Sequence, residues 1–138
     1  MKFGFDIHGV LDKHPAIYAA MTQALRAGGH EVYVITGSIH TDEEASKLRT
    51  WGIEWDHWFS VTQYHMDKGD VEVEWVDGKP WMDADVWNRT KGDYCRDEGI
   101  NWMVDDSPVY GKHFDEDNVY VLQRDPREQE RWEILGAT

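Results

Sequence analysis

The segment that most constrains the fold is Glu31–Thr36, with the sequence EVYVIT. It is short, mostly apolar and rich in β-branched residues, which is typical of a strand buried on both faces of a sheet. Such a strand needs other elements packed above and below it. A chain of 138 residues is long enough to supply these layers within one domain.

Helical signals lie on both sides of this strand. Before it, Pro15 suits a first helical position, and apolar residues then recur at helical spacing until the Gly28-Gly29 pair (Ala16, Ile17, Ala20, Met21, Ala24 and Leu25). After it, Thr41 and Glu44 have the spacing of a capping box, which predicts a helix up to about residue 51. We therefore expect one helix before and one helix after the buried strand.

The same alternation continues along the chain. Strands are predicted at residues 2–7, 53–59, 100–104 and 118–122, with a helix at residues 90–98 that Thr90 and Asp93 would cap. A terminal helix is predicted to begin at Asp125-Pro126-Arg127-Glu128. Alternating strands and helices predict an α/β fold: a Rossmann-like, three-layer α/β/α domain over residues 1–138, with a parallel sheet of about five strands.

Residues 60–87 interrupt this alternation. Apolar and acidic residues alternate from Val71 to Trp75, and Asp77-Gly78 is a strong signal for a tight hairpin turn. We interpret this segment as an inserted β-hairpin or flap. Its Trp75 and Trp81, with Tyr64, could cover a pocket and stack on a flat substrate, or the hairpin could simply pack on the sheet. The other tryptophans, including Trp87, are expected to pack.

Charge and cysteine content restrict the class of partner. With 14 basic and 27 acidic residues, the net charge of −13 disfavours binding to nucleic acid or to an anionic membrane. The amino-terminal segment meets a charge at once and has no apolar run long enough for a signal peptide or a membrane helix. The lone Cys95 has no internal disulfide partner. We expect a cytoplasmic protein that does not enter membranes.

Polar residues follow three of the predicted strands. Asp6 follows the first, Thr36 ends the second and Asp105-Asp106 follow the strand at residues 100–104, while Lys91 lies at the start of the helix before that strand. Open α/β sheets bind ligands beyond the carboxyl ends of their strands. Phosphoryl transfer uses a carboxylate nucleophile, a second carboxylate to hold Mg²⁺, and a lysine and a hydroxyl to hold phosphoryl oxygens. Lys68 and Lys79 are alternatives to Lys91.

Four motifs give the chain a resemblance to a known family. Residues 5–11 (FDIHGVL) look like the first motif of the haloacid-dehalogenase superfamily, and residues 34–38 (VITGS) resemble the second. Lys91 is similar to the third motif, and residues 104–108 (VDDSP) resemble the fourth. The resemblance covers about residues 2–122, with the motifs in the family's order. Each motif alone is weak, and the four together are fairly specific.

The resemblance implies a magnesium site. Asp6 and Asp105 would ligate Mg²⁺ together with the backbone carbonyl of His8, and Asp106 would do so directly or through water. Asp106 could instead cap the turn that follows it. In the family's strand order, the strands that carry these residues are neighbours.

The resemblance also implies a catalytic route. Asp6 would be the nucleophile that forms an aspartyl-phosphate, Thr36 and the Gly37 amide would bind the phosphoryl group, and Lys91 would neutralise its charge. We therefore expect a Mg²⁺-dependent phosphomonoesterase that acts on a small phosphorylated substrate, with the hairpin at residues 60–87 as a small lid.

His8 departs from the family pattern, because the family's phosphatases usually have aspartate at this position as the general acid and base. An imidazole can perform both roles, and we interpret His8 as the acid/base residue. The alternative is a catalytically weak protein that binds phosphate or a nucleotide. A third possibility is a phosphoacceptor domain like the response-regulator receivers, but their acidic pair comes first and their lysine last, unlike the order here.

Overall fold

A computed structural model describes residues 1–124; the terminal helix predicted from Asp125 onward lies outside them. The strands are β1 (Lys2–Phe5), β2 (Glu31–Thr36), β3 (His57–Ser60), β4 (Glu74–Val76), β5 (Lys79–Trp81), β6 (Trp102–Asp105) and β7 (Val119–Leu122). The α-helices are α1 (Pro15–Ala27), α2 (Asp42–Thr50), α3 (Val61–Lys68) and α4 (Ala84–Glu98), and Tyr110–His113 form a 3₁₀ helix. None of these helices is both long and apolar enough to cross a membrane.

Five strands form one sheet in the order β3-β2-β1-β6-β7, and every neighbouring pair is parallel. Phe5 at the end of β1 pairs with Val34 in β2 on one side and with Val104 in β6 on the other. The predicted α/β fold with a parallel sheet of about five strands is therefore confirmed. The carboxyl ends of β1, β2 and β6 lie side by side at one edge of this sheet.

The apolar residues of the sheet form two cores, one on each face. Val32 and Val34 of β2 belong to a cluster with Leu48 of α2. Their neighbours Tyr33 and Ile35 point the other way, into a second cluster that includes Cys95 of α4 and Met103 of β6. Alternate residues of a strand face opposite sides, so β2 is covered on both faces as its sequence predicts. The layers are helix, sheet and helix.

Helix α1 has the predicted bounds but turns a different face to the sheet. Tyr18, Ala19 and Thr22 are the buried positions, whereas Ile17 of the predicted apolar face is 63% exposed. Polar groups explain the difference, because the Thr22 hydroxyl donates to the Tyr18 carbonyl (2.7 Å) and accepts from the Glu54 amide (3.1 Å). A threonine whose hydrogen bonds are satisfied can be buried at little cost.

Helix α4 begins six residues before the predicted start, which corrects the position assigned to Lys91. The Asp83 carboxylate caps this helix by accepting from the amides of Asp85 and Val86, both at 3.1 Å. Thr90, the predicted cap, is an interior residue whose hydroxyl donates to the Val86 carbonyl at 2.6 Å. Lys91 therefore lies in the middle of α4 and not at its start. The α2 cap is as predicted, with the Thr41 hydroxyl accepting from the Glu44 amide.

The segment at residues 60–87 contains more than the predicted hairpin. Its first part is helix α3, which Ser60 caps, and its last residues belong to α4. The hairpin itself consists of the short antiparallel strands β4 and β5, which form a separate two-stranded sheet. Asp77 and Gly78 connect them with φ values of 51° and 74°, as expected for a two-residue turn with both residues left-handed.

Candidate active site

The ends of β1 and β6 bring the predicted carboxylates together. Asp6 directly follows β1, and its amide donates to the carbonyl of Val104 in β6 at 3.0 Å. Asp105 ends β6, and Asp106 is the next residue. One oxygen from each of the three carboxylates lies within 4.8 Å of the other two. Side chains that are 99 positions apart in the sequence thus meet because their strands are neighbours.

Lys91 reaches these carboxylates from α4. Its Nζ donates to Asp105 Oδ2 at 2.8 Å and lies 3.2 Å from Asp6 Oδ1. The lysine is only 3% exposed, and Asp105 is fully buried, with its other oxygen accepting from the Ser107 amide at 3.2 Å. The three carboxylates and the one ammonium group of this cluster carry a formal charge of −2 among themselves.

The pKa values of the cluster reflect this imbalance. Burial, opposed by Lys91 and reinforced by the charges of Asp105 and Asp106, raises the pKa of Asp6 well above its ordinary value. Burial alone would lower the pKa of Lys91, but the carboxylates of Asp105 and Asp6 outweigh it and the net pKa is raised. Lys91 therefore stays protonated, and the raised pKa of Asp6 means that its carboxyl group keeps a proton to a higher pH than an ordinary aspartate does.

The donor set of this cluster fits a hard divalent cation. Every side-chain ligand that it offers is a carboxylate oxygen, the donor that Mg²⁺ prefers. A charge of +2 would balance the formal −2 of the three carboxylates and Lys91. The residues that could hold Mg²⁺ are therefore Asp6, Asp105 and Asp106, three of the four ligands predicted from the sequence.

The turn after β1 is shaped by Gly9. This residue has a φ of +85°, and a Cβ at its position would overlap the carboxylate of Asp106. The Gly9 amide donates to Asp12 Oδ1 at 2.7 Å, and its carbonyl accepts from Gln123 Nε2 at 2.6 Å. Only glycine allows both this backbone conformation and the close approach of Asp106.

Two of the predicted phosphate-binding residues, Thr36 and Gly37, lie at the carboxyl end of β2. Thr36 is buried, with its Oγ1 lying 3.2 Å from Ser38 Oγ. The carbonyl of Gly37 accepts from both the amide and the hydroxyl of Thr62, at 3.2 and 2.6 Å. These two bonds tie the loop after β2 to α3 through the Gly37 carbonyl.

A cavity of about 610 Å³ opens above these strand ends. It is lined by most of the residues that the sequence singled out (Asp6, His8, Thr36, Gly37, Lys91 and Asp106). Asp105 lies behind them, fully buried. The structure thus brings the predicted nucleophile, the phosphate-binding residues and the lysine to the wall of a single cavity. Lys79 of the hairpin also lines it, whereas Lys68 lies in a different cleft, near Asp70.

His8 lines the cavity on its exposed side. Its side chain is 63% exposed, with Nδ1 lying 3.6 Å from Asp12 Oδ2 and Nε2 lying 3.4 Å from Glu44 Oε1. The imidazole is therefore held between two carboxylates at the cavity and is accessible to water and to a ligand.

Two aromatic residues of the cavity wall were missed by sequence reasoning. Trp87 was expected only to pack, and Tyr110 was not considered; both line the cavity, and Trp87 Nε1 donates to the Tyr110 hydroxyl at 2.7 Å. Trp87 precedes Lys91 by four positions, so the correct start of α4 would have placed both on one helix face. Trp81 lines the cavity as considered, whereas Trp75 and Tyr64 are not among its lining residues in the described part of the chain.

Comparisons with protein-family models, with curated proteins and with solved structures found no match to this chain.

Proposed function

We propose that this protein is a Mg²⁺-dependent phosphomonoesterase of the haloacid-dehalogenase-like type, which acts on a small phosphorylated substrate through an aspartyl-phosphate at Asp6. The observation that carries the proposal is the meeting of Asp6, Asp105 and Asp106 within 4.8 Å at one cavity, with the Nζ of Lys91 between two of them. The four motifs that resemble that superfamily supply these same residues.

The proposal assigns Mg²⁺ to the three carboxylates, with the His8 backbone carbonyl as the further ligand that the resemblance implies. When bound, Mg²⁺ would offset the charge of the carboxylates and of the phosphoryl group, so that two anionic groups can approach each other. Lys91 has a second role beside the metal: it holds Asp6 and Asp105 in fixed positions before the substrate arrives.

The first chemical step uses groups at the ends of two strands, β1 and β2, and on helix α4. The Thr36 hydroxyl, the Gly37 amide and the Lys91 ammonium bind the phosphoryl oxygens and orient the phosphorus toward an oxygen of Asp6. The Asp6 oxygen attacks phosphorus while the bond to the leaving oxygen breaks. His8 gives its proton to that oxygen, which leaves as an alcohol.

The second step regenerates Asp6. A water molecule attacks the phosphorus of the aspartyl-phosphate, and His8 takes the proton that this water loses. The Asp6 carboxylate is released together with inorganic phosphate, and His8 is protonated again for the next cycle. The hairpin of β4 and β5 would act as a lid that limits the access of bulk water during the first step.

A second candidate is a protein that binds phosphate or a nucleotide with little turnover. The contacts of His8 favour it, because both imidazole nitrogens lie near carboxylates, of Asp12 and Glu44, that could hold the ring away from the leaving group. In this case the phosphoenzyme would form and persist, or the ligand would only bind.

Phosphate release from a panel of phosphomonoesters, with Mg²⁺ and with a chelator, tests the proposal. We expect Mg²⁺-dependent turnover in the wild type and a loss of at least about 1,000-fold in Asp6→Asn, which keeps the shape but removes the nucleophile. Asp67→Asn, an exposed aspartate of α3 away from the cavity, is the matched control. Turnover that survives Asp6→Asn would refute the proposal, and binding of phosphate without turnover would support the second candidate.

The role of His8 has its own test, which uses two leaving groups. A phenolate leaves without much help from an acid, whereas an alkoxide needs a proton. His8→Ala should therefore slow an alkyl phosphate far more than a nitrophenyl phosphate, and His8→Asp should restore much of the loss. Equal effects on both substrates would assign His8 to binding and not to proton transfer.

A further inference from the structure

We infer that the cavity beside Asp6 includes an aromatic subsite, formed by Trp81 and Trp87, for a leaving group with a planar heteroaromatic ring. The inference rests on the proposed function and names its substrate class: phosphomonoesters that carry a nucleobase or a ring of similar shape. It is carried by the fixed position of the Trp87 indole, the exposure of the Trp81 indole and the place of both in the wall of one cavity.

Trp87 forms a fixed wall of the cavity next to the phosphate-binding loop. Its indole Nε1 donates to the Tyr110 hydroxyl at 2.7 Å, which fixes the ring in its plane. Its six-membered ring lies over Gly37, where a Cβ would come within 2.7 Å of Cη2 and Cζ2. The Nζ of Lys91 lies 5.0 Å from the centre of the Tyr110 ring. The aromatic wall therefore begins where the phosphoryl group would bind.

Trp81 is the second aromatic residue of the subsite and lies on the hairpin. It lines the cavity and is nevertheless 59% exposed, so a large apolar surface faces the cavity and the solvent together. Trp75 of the same hairpin is 47% exposed but does not line the cavity. The exposed face of an indole can bind a flat ring by stacking.

Size and polarity favour a ring of nucleobase type. A volume of about 610 Å³ is within the range of pockets that enclose whole small-molecule ligands, and is more than a phosphoryl group needs. Asn88, the residue after Trp87, also lines the cavity, and its amide can both donate to and accept from the edge of a heterocycle. The net charge of −13 disfavours a long polyanion as the substrate. Among substrates that carry a nucleobase, a mononucleotide therefore fits better than a nucleic acid.

A matched pair of substrates isolates the contribution of the ring. Adenosine 5′-monophosphate and ribose 5-phosphate share the phosphorylated sugar and differ in the base. We expect the wild type to have the higher kcat/KM for the nucleotide, and Trp81→Ala to lower the ratio of the two kcat/KM values by about 5- to 150-fold. Trp81→Phe should retain part of the preference. Trp75→Ala, on the same hairpin, is the control and should leave the ratio unchanged.

A third substrate tells where the ring binds. In phenyl phosphate the ring is joined directly to the phosphate oxygen, whereas in the nucleotide a sugar separates them. If the preference that depends on Trp81 is for the nucleotide, the subsite binds a nucleobase. If it is for phenyl phosphate, the subsite binds by the same stacking an aromatic ring that lies next to the phosphate. If Trp81→Ala leaves the kcat/KM values of the nucleotide and of phenyl phosphate unchanged relative to that of ribose 5-phosphate, the subsite is overturned. This holds even if hydrolysis itself depends on Mg²⁺ and Asp6.

Calorimetric binding with Mg²⁺ present distinguishes this failure from failure of the proposed function. If neither phosphate is hydrolysed but the nucleotide binds at least fivefold more tightly in wild type than in Trp81→Ala, the subsite stands and the phosphatase proposal fails. If neither phosphate binds nor is hydrolysed, both are overturned.

Discussion

Replacing Lys91 with methionine tests directly whether this lysine neutralises the buried carboxylates of Asp6 and Asp105. Methionine has a similar length and shape, so the change removes the charge and little of the packing. The side chain is buried, and its Nζ lies 2.8 Å from Asp105 Oδ2 and 3.2 Å from Asp6 Oδ1. The substitution leaves two buried carboxylates without the ammonium group that neutralises them.

The expected cost in the metal-free protein is about 3–5 kcal/mol, the range for breaking a buried ion pair by removing one partner. Unfolding entropy of about 2.1 cal/mol/K per residue gives about 0.29 kcal/mol/K for 138 residues. The melting temperature should therefore fall by about 10–17 °C. Loss of the Lys91 charge also removes an influence that lowers the pKa of Asp6, so this pKa should rise further above its ordinary value.

The stability of the metal-free protein should depend on pH, and the raised pKa of Asp6 determines the direction of this dependence. Because the pKa of Asp6 is raised in the folded protein, the folded state binds more protons than the unfolded chain between the two pKa values. Stability therefore falls as pH rises through that window, and it should fall further in Lys91→Met. Acidification should recover part of the lost stability, since protonated Asp6 needs no counter-charge.

The assay is thermal and urea unfolding in a chelator, at several pH values, with Lys112→Met as the control. Lys112 is exposed on the 3₁₀ helix, and its replacement should change stability by less than about 0.5 kcal/mol. A loss below about 1 kcal/mol in Lys91→Met, or a loss that acid does not reduce, would refute the view that this lysine neutralises buried charge.

Two further predictions concern the carboxylate cluster, and a third concerns the contact between α3 and α4. Gly9→Ala should lower stability by about 1–3 kcal/mol and weaken Mg²⁺ binding, because the new Cβ overlaps the Asp106 carboxylate; unchanged calorimetric affinity would contradict this. Mg²⁺ should bind more tightly as pH rises toward the raised pKa of Asp6 and should displace its proton, which calorimetry in buffers of different ionisation enthalpy would detect; pH-independent affinity would contradict it. His65→Ala should cost about 2–4 kcal/mol in urea unfolding, because the buried ring bonds Thr90 Oγ1 at 2.8 Å; a loss below 1 kcal/mol would be inconsistent.

Local patterns in the sequence were sufficient for the elements that form the sheet. The apolar run of β2 and the polar residues after β1 and β6 predicted both a buried parallel sheet and a cluster at one edge. The neighbouring positions of β1 and β6 could not be derived from spacing, because Asp6 and Asp105 are 99 residues apart and strand order depends on the packing of the whole chain. That step came from the resemblance of the motifs to a known family.

Competing local signals explain what the sequence did not predict. Both Asp83 and Thr90 are residues that cap helices, and choosing Thr90 removed the first six residues of α4 from the prediction. Trp87 lies in that omitted part, so its place on the same face as Lys91 was missed. On α1, alanines occur all around the helix, and periodicity alone could not distinguish the buried face from the exposed one.

The course of the chain from β5 into α4 relates the charged and the aromatic parts of the site. Lys79 and Trp81 lie on the hairpin, Asp83 caps the helix, and Trp87 and Lys91 follow on one face of it. Lys91 is held by buried carboxylates, so its position depends on the sheet, whereas Trp81 is exposed and depends only on a short hairpin. Changes in the hairpin could therefore alter which leaving group binds without disturbing the charges around Asp6. Under the proposed function, this one segment supplies Lys91 to the phosphate chemistry of the strand ends and supplies Trp81 and Trp87 to the choice of substrate.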